Sequence, residues 1–212
     1  MTRSIFHPSS EHLLDYALGE LPMGPMLTLQ SHIDGCVSCR AVVEAREEVE
    51  GRLMAESQEA ALRPDSLAAV LSRIVGAPTS DPTDLSKDFE DINLPSALAD
   101  VPFAPRRRLG PDIWVAHIDP PSPDGWLTYL LRAPPGAKFP SHDHVGREFI
   151  SLLEGAYTDA REHVAGDFAE NGPGLEHVME ISQAGPCICL ISTYGRIPWM
   201  SKDRAVGRIL GV

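Results

Sequence analysis

The chain has 212 residues and a formal net charge of −12, long enough for one large domain or two modest ones. No run approaches the ~18 apolar residues that read as a membrane span, and the N-terminus MTRSIFHPSS lacks the apolar core of a signal peptide, so the expectation is a cytoplasmic protein with no membrane partner. Residues 1–100 hold 7 basic and 17 acidic side chains, residues 101–212 hold 11 and 13; an acidic half of that kind repels phosphates, which argues against direct nucleic acid binding and favours a basic protein partner, unless it is only a solvated helical face.

From His7 to about Gly19, Leu13, Leu14, Ala17, Leu18 and Leu21 recur at helical spacing, with Pro8 suited to a first turn. Leu21 to Pro25 breaks the pattern. A second helix is expected from Met26 to about Ile33, and a third from about Val37 to Ala61 with Glu44, Glu47, Glu48 and Glu50 on its exposed side. Pro64 and Asp65 open a fourth, whose stripe of Leu67, Val70, Leu71, Ile74 and Val75 suits packing on the other helices or docking on a partner. Residues 77–100 are polar, acidic and proline-bearing without sustained periodicity, as in a linker. After Val101 the texture changes to short β-branched and aromatic runs at 112–118, 126–131, 148–153 and 188–192, which predict an all-β barrel or sandwich. The domains expected are therefore residues 1–76, a linker over 77–100, and residues 101–212.

Two clusters carry chemistry. The first is His32-x3-Cys36-x2-Cys39. If helical, these positions fall within roughly 60° of one face, and Gly35 allows a tight turn before Cys36. In a reducing compartment a C-x2-C pair is a metal site or redox switch more often than a structural disulfide. Two thiolates and an imidazole suit zinc, which wants a fourth ligand. His7 and His12 are the candidates. His7 is preferred because it precedes Pro8 at the mouth of the first helix, whereas His12 fits a surface position equally well.

The second cluster, Gly136-x5-His142-x-His144-x3-Glu148-x6-Gly155, resembles the first cupin motif at every position. His142 and His144, two residues apart, share one face of a strand. A looser second motif, Gly166 to Gly174 followed by His177, departs from the cupin pattern at Gly172 and Ile181. The resemblance implies a ligand set of His142, His144, Glu148 and His177 for zinc or another divalent metal, iron or manganese, with open positions. Cys187 and Cys189 also share a strand face, as small core side chains or as oxidant-sensitive thiols.

A helical domain with His-x3-Cys-x2-Cys and an upstream histidine resembles the zinc-binding anti-sigma domain of regulators of group IV (extracytoplasmic function) sigma factors. Joined to a cupin, it resembles the ChrR family across essentially the whole chain. The resemblance implies an α+β multidomain protein: an N-terminal four-helix zinc-binding anti-sigma bundle, with His7, His32, Cys36 and Cys39 as ligands, followed by a C-terminal all-β cupin barrel. It implies a 1:1 complex with an extracytoplasmic function sigma factor, no direct nucleic acid contact, and release of the sigma factor under oxidative stress such as singlet oxygen, with the cupin needed for the response. The rival expectation is a small metal-dependent cupin enzyme, a dioxygenase, hydrolase or isomerase, with a helical oligomerisation segment. No residue beyond the ligands is placed by spacing as its general acid or base.

Overall fold

A computed structural model describes residues 6–75, 89 and 91–195. Residues 1–5, the boundary expected at residues 76 and 77, the first half of the expected linker (77–88), residue 90, and residues 196–212 lie outside the described residues. Helices come first and antiparallel strands follow, in the α+β order expected.

Helix α1 (Ser10–Ala17) starts later than expected because Ser9 is its N-cap: the Ser9 hydroxyl accepts from the His12 amide at 3.3 Å, and Pro8 stays outside. Helix α2 (Met23–Ile33) starts three residues early. Its Pro25 sits in the first turn, where the missing amide hydrogen has no helical acceptor to lose. Helix α3 (Val37–Glu56) ends before the expected Ala61 and buries only Cys39 and Val43. Its acidic side chains are partly answered one turn away, in the pairs Arg40–Glu44, Arg46–Glu50 and Arg52–Glu48. Exposed pairs of this kind contribute about 0.3–0.5 kcal/mol each. Helix α4 (Ser66–Val75) buries none of its side chains. Of the two fates open to its apolar stripe, packing on the other helices is not the one observed.

Among the described residues ten strands follow: β1 (Arg107–Gly110), β2 (Ile113–His117), β3 (Trp126–Ala133), β4 (Lys138–His142), β5 (Glu148–Glu154), β6 (Ala156–Thr158), β7 (Glu162–Val164), β8 (Phe168–Asn171), β9 (His177–Ile181) and β10 (Cys187–Tyr194). They form a six-stranded sheet in the order β1-β2-β3-β10-β5-β8 and a four-stranded sheet in the order β4-β9-β6-β7. Val115, Tyr129, Leu131, Ile150, Leu152, Tyr157, Met179, Ile181 and Ile191 form the core within the barrel. At the β5–β6 turn Gly155 has φ +80°, and a Cβ there would lie 2.0 Å from the Pro186 carbonyl oxygen.

The six-stranded sheet is covered on its other face as well. Strand β10 is buried from Cys187 through Thr193, the pattern of a strand apolar on both sides. Phe89, Ile92, Leu98 and Phe103 pack over Trp114, Ala116, Leu130, Ile188 and Leu190. The latter part of the expected linker is therefore a packed segment that lids the sheet. Arg106 closes its edge, stacked 4.3 Å over Trp114 and paired with Asp91. Next to this segment, α2 lies across β3, β5 and β10. Gly24 makes that approach possible, since a Cβ there would meet Thr128 Oγ1 at 2.2 Å and Ser192 Oγ at 2.6 Å.

Gly24→Ala is expected to destabilise the chain by about 1–3 kcal/mol through overpacking. Gly51→Ala, on α3 with nothing within 4 Å of a new Cβ, is expected to stabilise it by roughly 0.5–1 kcal/mol. Urea denaturation of the two variants beside the parent reads both signs.

Candidate metal centres

The first donor set is built at a turn rather than on one helix. His32 lies in the last turn of α2, Asp34 and Gly35 turn the chain, Cys36 caps α3 and Cys39 lies in its first turn. The Cys36 amide donates to the His32 carbonyl at 2.9 Å and fixes that turn. The fourth member is His7, whose Nδ1 lies 3.4 Å from both Cys36 Sγ and Cys39 Sγ, and His32 Nε2 lies 3.3 Å from Cys39 Sγ. One donor atom from each of the four falls within 4.8 Å of the rest; His7 is exposed and the others are buried. Burial brings the His32 imidazole down to about 4, with the Gly166 backbone opposing the shift. Burial, aided by Cys36, pushes the Cys39 thiol up to about 12. A neutral imidazole is ready to coordinate, whereas a thiol must surrender its proton to the cation.

His12, the other candidate, goes elsewhere. Arg147 Nη1 donates to its Nε2 at 2.8 Å, so its Nδ1–H points to Glu170 Oε1 at 2.9 Å. Sequence reasoning missed this destination, since nothing near His12 in the chain signals a partner 158 residues away.

The second donor set sits where the two sheets meet. Cross-strand register places His142 opposite His177 on β4 and β9, and Glu148 opposite Asn171 on β5 and β8. His144 lies just past the end of β4 rather than on it. Asp143 holds that loop to the second motif, with its Oδ1 accepting from the His144 amide at 2.6 Å and the Gly174 amide at 2.8 Å. His142, His144 and His177 bring donor nitrogens within 4.8 Å of one another. Glu148 Oε2 lies 3.4 Å from His144 Nε2 and 3.8 Å from His177 Nε2. His142 Nδ1 lies 3.0 Å from the Pro140 carbonyl, which makes Nε2 its basic nitrogen.

Electrostatics suit this set to a cation. Burial, reinforced by the neighbouring imidazoles, holds His144 and His177 down at about 4. Burial lifts Glu148 to about 7 against the pull of the Asn171 amide, which donates to Oε2 at 2.9 Å. His144 Nε2 and His177 Nε2 face each other at 2.9 Å, a separation that two lone pairs tolerate only with a proton or a cation between them. Asn171 went unrecognised in the sequence, where a buried amide on a short strand carries no motif.

His163 is a buried packing residue, stacked on Tyr157 and 3.3 Å from Asp159 Oδ1. Cys187 and Cys189 share an inward face as expected, with sulfurs 3.6 Å apart and no disulfide. A cavity of about 590 Å³ is lined by one member of each donor set, His7 and His177.

The fold and sites define a cupin-like barrel protein with a second, thiol-containing donor set on an N-terminal helical unit. Residues 97–195 match the family model for the ChrR cupin-like domain. The anti-sigma-E factor ChrR of Cereibacter sphaeroides is 31% identical over 195 residues, 88% of each chain. The solved complex of Rhodobacter sphaeroides SigE with the anti-sigma ChrR matches with a TM-score of 0.68 at 30% identity, covering 89% of this chain and 98% of that one. An RmlC-like cupin of Ralstonia eutropha matches with a TM-score of 0.44 at 19% identity, covering 58% of this chain and 88% of that one. The chain belongs to the ChrR family of anti-sigma factors. Among the described residues no helix is long and apolar enough to cross a membrane.

The helical donor set is expected to bind added Co2+ more weakly as pH falls, roughly tenfold per pH unit for each thiol proton displaced. Competition titrations against a chromophoric chelator between pH 6 and 8 measure the slope. Cys39→Ala, which leaves Cys36 as the one thiol of the set, is expected to lower the thiolate-to-cobalt absorption at least twofold.

Proposed function

We propose that this chain acts in the cytoplasm as the inhibitor of a group IV sigma factor, bound 1:1 through its helical unit, and gives it up under oxidative stress such as singlet oxygen. It is a regulator rather than an enzyme. The observation that carries the reading is that its likeness to ChrR spans both units, in a solved complex of ChrR with SigE.

The surface supports it physically. Val49, Leu53 and Met54 of α3 are exposed, together with Leu67, Val70, Leu71, Ile74 and Val75 of α4. A run of large apolar side chains over two helices is far more than the scattered surface residues of a monomer, and it suits a protein partner. The acidic residues of the same half favour a basic face on that partner.

Zinc is the ion proposed for the helical centre. With Zn–S about 2.3 Å and Zn–N about 2.0 Å, a tetrahedral ion sets sulfur and nitrogen about 3.5 Å apart, close to the 3.3–3.4 Å between these donors. His7, His32, Cys36 and Cys39 would hold it and tie the chain before α1 to the α2–α3 turn. In the barrel, His142, His144, His177 and Glu148 suit zinc, iron or manganese, ions that accept nitrogen and carboxylate donors and leave positions open. The ion there supplies a Lewis-acidic or redox-active centre, while Asn171 and the Pro140 carbonyl orient the donors around it.

Isothermal titration of the purified chain with a group IV sigma factor from the same organism tests the reading. Tight 1:1 binding is expected, and Leu71→Asp, at a half-exposed position, is expected to weaken it at least tenfold without changing the melting temperature. No binding by the parent chain contradicts the reading. In cells, His142→Ala is expected to leave sigma-dependent transcription unresponsive to photosensitised singlet oxygen; an unchanged response would show that the barrel centre plays no part.

A further inference from the structure

The residues on either side of His7 are held by the barrel. Phe6 pairs with the start of β8: the Phe168 amide donates to the Phe6 carbonyl at 3.0 Å, and the Phe6 amide donates to Asp167 Oδ1 at 3.2 Å. Two residues after His7, the Ser9 amide donates to Glu170 Oε1 at 2.8 Å, the same oxygen that receives His12 Nδ1. His7 itself is exposed, so these bonds do much to fix where its imidazole stands.

Strand β8 has a second client. Its residues alternate in direction, so Phe168 and Glu170 face the helical unit while Asn171 points inward and donates to Glu148 Oε2 at 2.9 Å. The Phe168 ring lies against His32, with centroids 5.6 Å apart. One four-residue strand thus touches a donor of the barrel centre and two donors of the helical centre, or the chain beside them.

Two other links run in parallel. Arg147, next to Glu148, donates to His12. The Phe6 ring lies 4.9 Å from that of His163, whose Nε2 is 3.3 Å from Asp159 Oδ1, and Asp159 Oδ2 is 4.0 Å from His177 Nδ1. None of the three links uses residues 76–88.

We propose that β8 couples the two centres, with Glu170 as the positioning residue that transmits the state of the barrel centre to His7. This rests on the reading that both donor sets hold metal and that the helical one belongs to the sigma-binding unit. When the barrel donors are filled, Glu148 is drawn to the cation, Asn171 is fixed through it, and β8 holds Phe6 and Ser9 in register. When the barrel donors are empty, the strand slackens, the His7 segment loosens and the helical zinc is held by three donors instead of four. The barrel thereby acts on the helical unit by direct contact.

The test is a double-mutant cycle on the full chain, with release of zinc from the helical centre to a chromophoric chelator as the readout. His142→Ala, which weakens the barrel centre, is expected to speed release from the helical centre at least tenfold. Glu170→Ala is expected to do the same with the barrel metal still bound, and the double variant is expected to be no faster than either single one. Glu170→Gln, which keeps an acceptor for the Ser9 amide, guards against misfolding and is expected to fall between parent and Glu170→Ala. Equal release rates in the parent and His142→Ala overturn the proposal, as do single effects that simply multiply in the double variant. Sigma-factor binding by the parent is scored on the same preparations. Its absence contradicts the anti-sigma reading alone, whereas independent release with binding intact contradicts the coupling alone.

Discussion

Burial of the six-stranded sheet on both faces is the constraint from which the rest of the structure follows. Its inner face closes the barrel over Tyr129, Ile150 and Ile191, and its outer face presents Leu130, Ile188 and Leu190, each at most 2% exposed. Fully burying such side chains is worth about 1.5–3 kcal/mol apiece, whereas the exposed ion pairs along α3 contribute a few tenths each. Apolar contact, not charge, therefore joins the two halves. Once α2 lies on the sheet, with Gly24 against Thr128 and Ser192, the end of α2 and its His32 are fixed relative to the barrel. The thiol-bearing turn follows, and the two donor sets come to face one cavity.

The two centres use burial in different ways. In the helical set it keeps His32 neutral and Cys39 protonated until a cation arrives, so metal binding, proton release and packing of the turn are one event. In the barrel set it suppresses charge on His144 and His177 and raises Glu148 toward neutrality, leaving the pocket costly to keep empty and favourable to fill. The part of the chain shaped for a partner is the opposite in character. Helix α4 and the far end of α3 leave their apolar side chains in water, and a surface of that kind is stable in solution only while acidic neighbours keep it soluble or a partner covers it.

Much of this could be read before any coordinates. Periodicity placed the helices, motif spacing singled out His32, Cys36 and Cys39 and the cupin-like His142, His144, Glu148 and His177, and Gly35 marked the turn that brings His32 to the thiols, whereas His7 rested on its place beside Pro8 and on the family resemblance. What stayed hidden was tertiary. Phe89, Ile92, Leu94 and Leu98 are too sparse and irregular to show a period, because they cover a sheet from a segment whose one regular piece among the described residues is the short 3-10 turn Ser96–Leu98. The short strands at 138–142, 156–158 and 162–164 contain too few apolar residues to stand out. His12, Asn171 and Glu170 owe their roles to partners far away in the chain. The helix starts shifted because Ser9 caps α1 and because a proline near the start of α2 costs it nothing.

The most direct measurement is co-expression of the full chain with a group IV sigma factor from the same organism, followed by purification of whatever assembles and a count of its metals. The account predicts a stoichiometric complex that carries one zinc equivalent for the helical centre, with or without a second metal from the barrel. A chain that emerges alone, with metal only in the barrel, would contradict it.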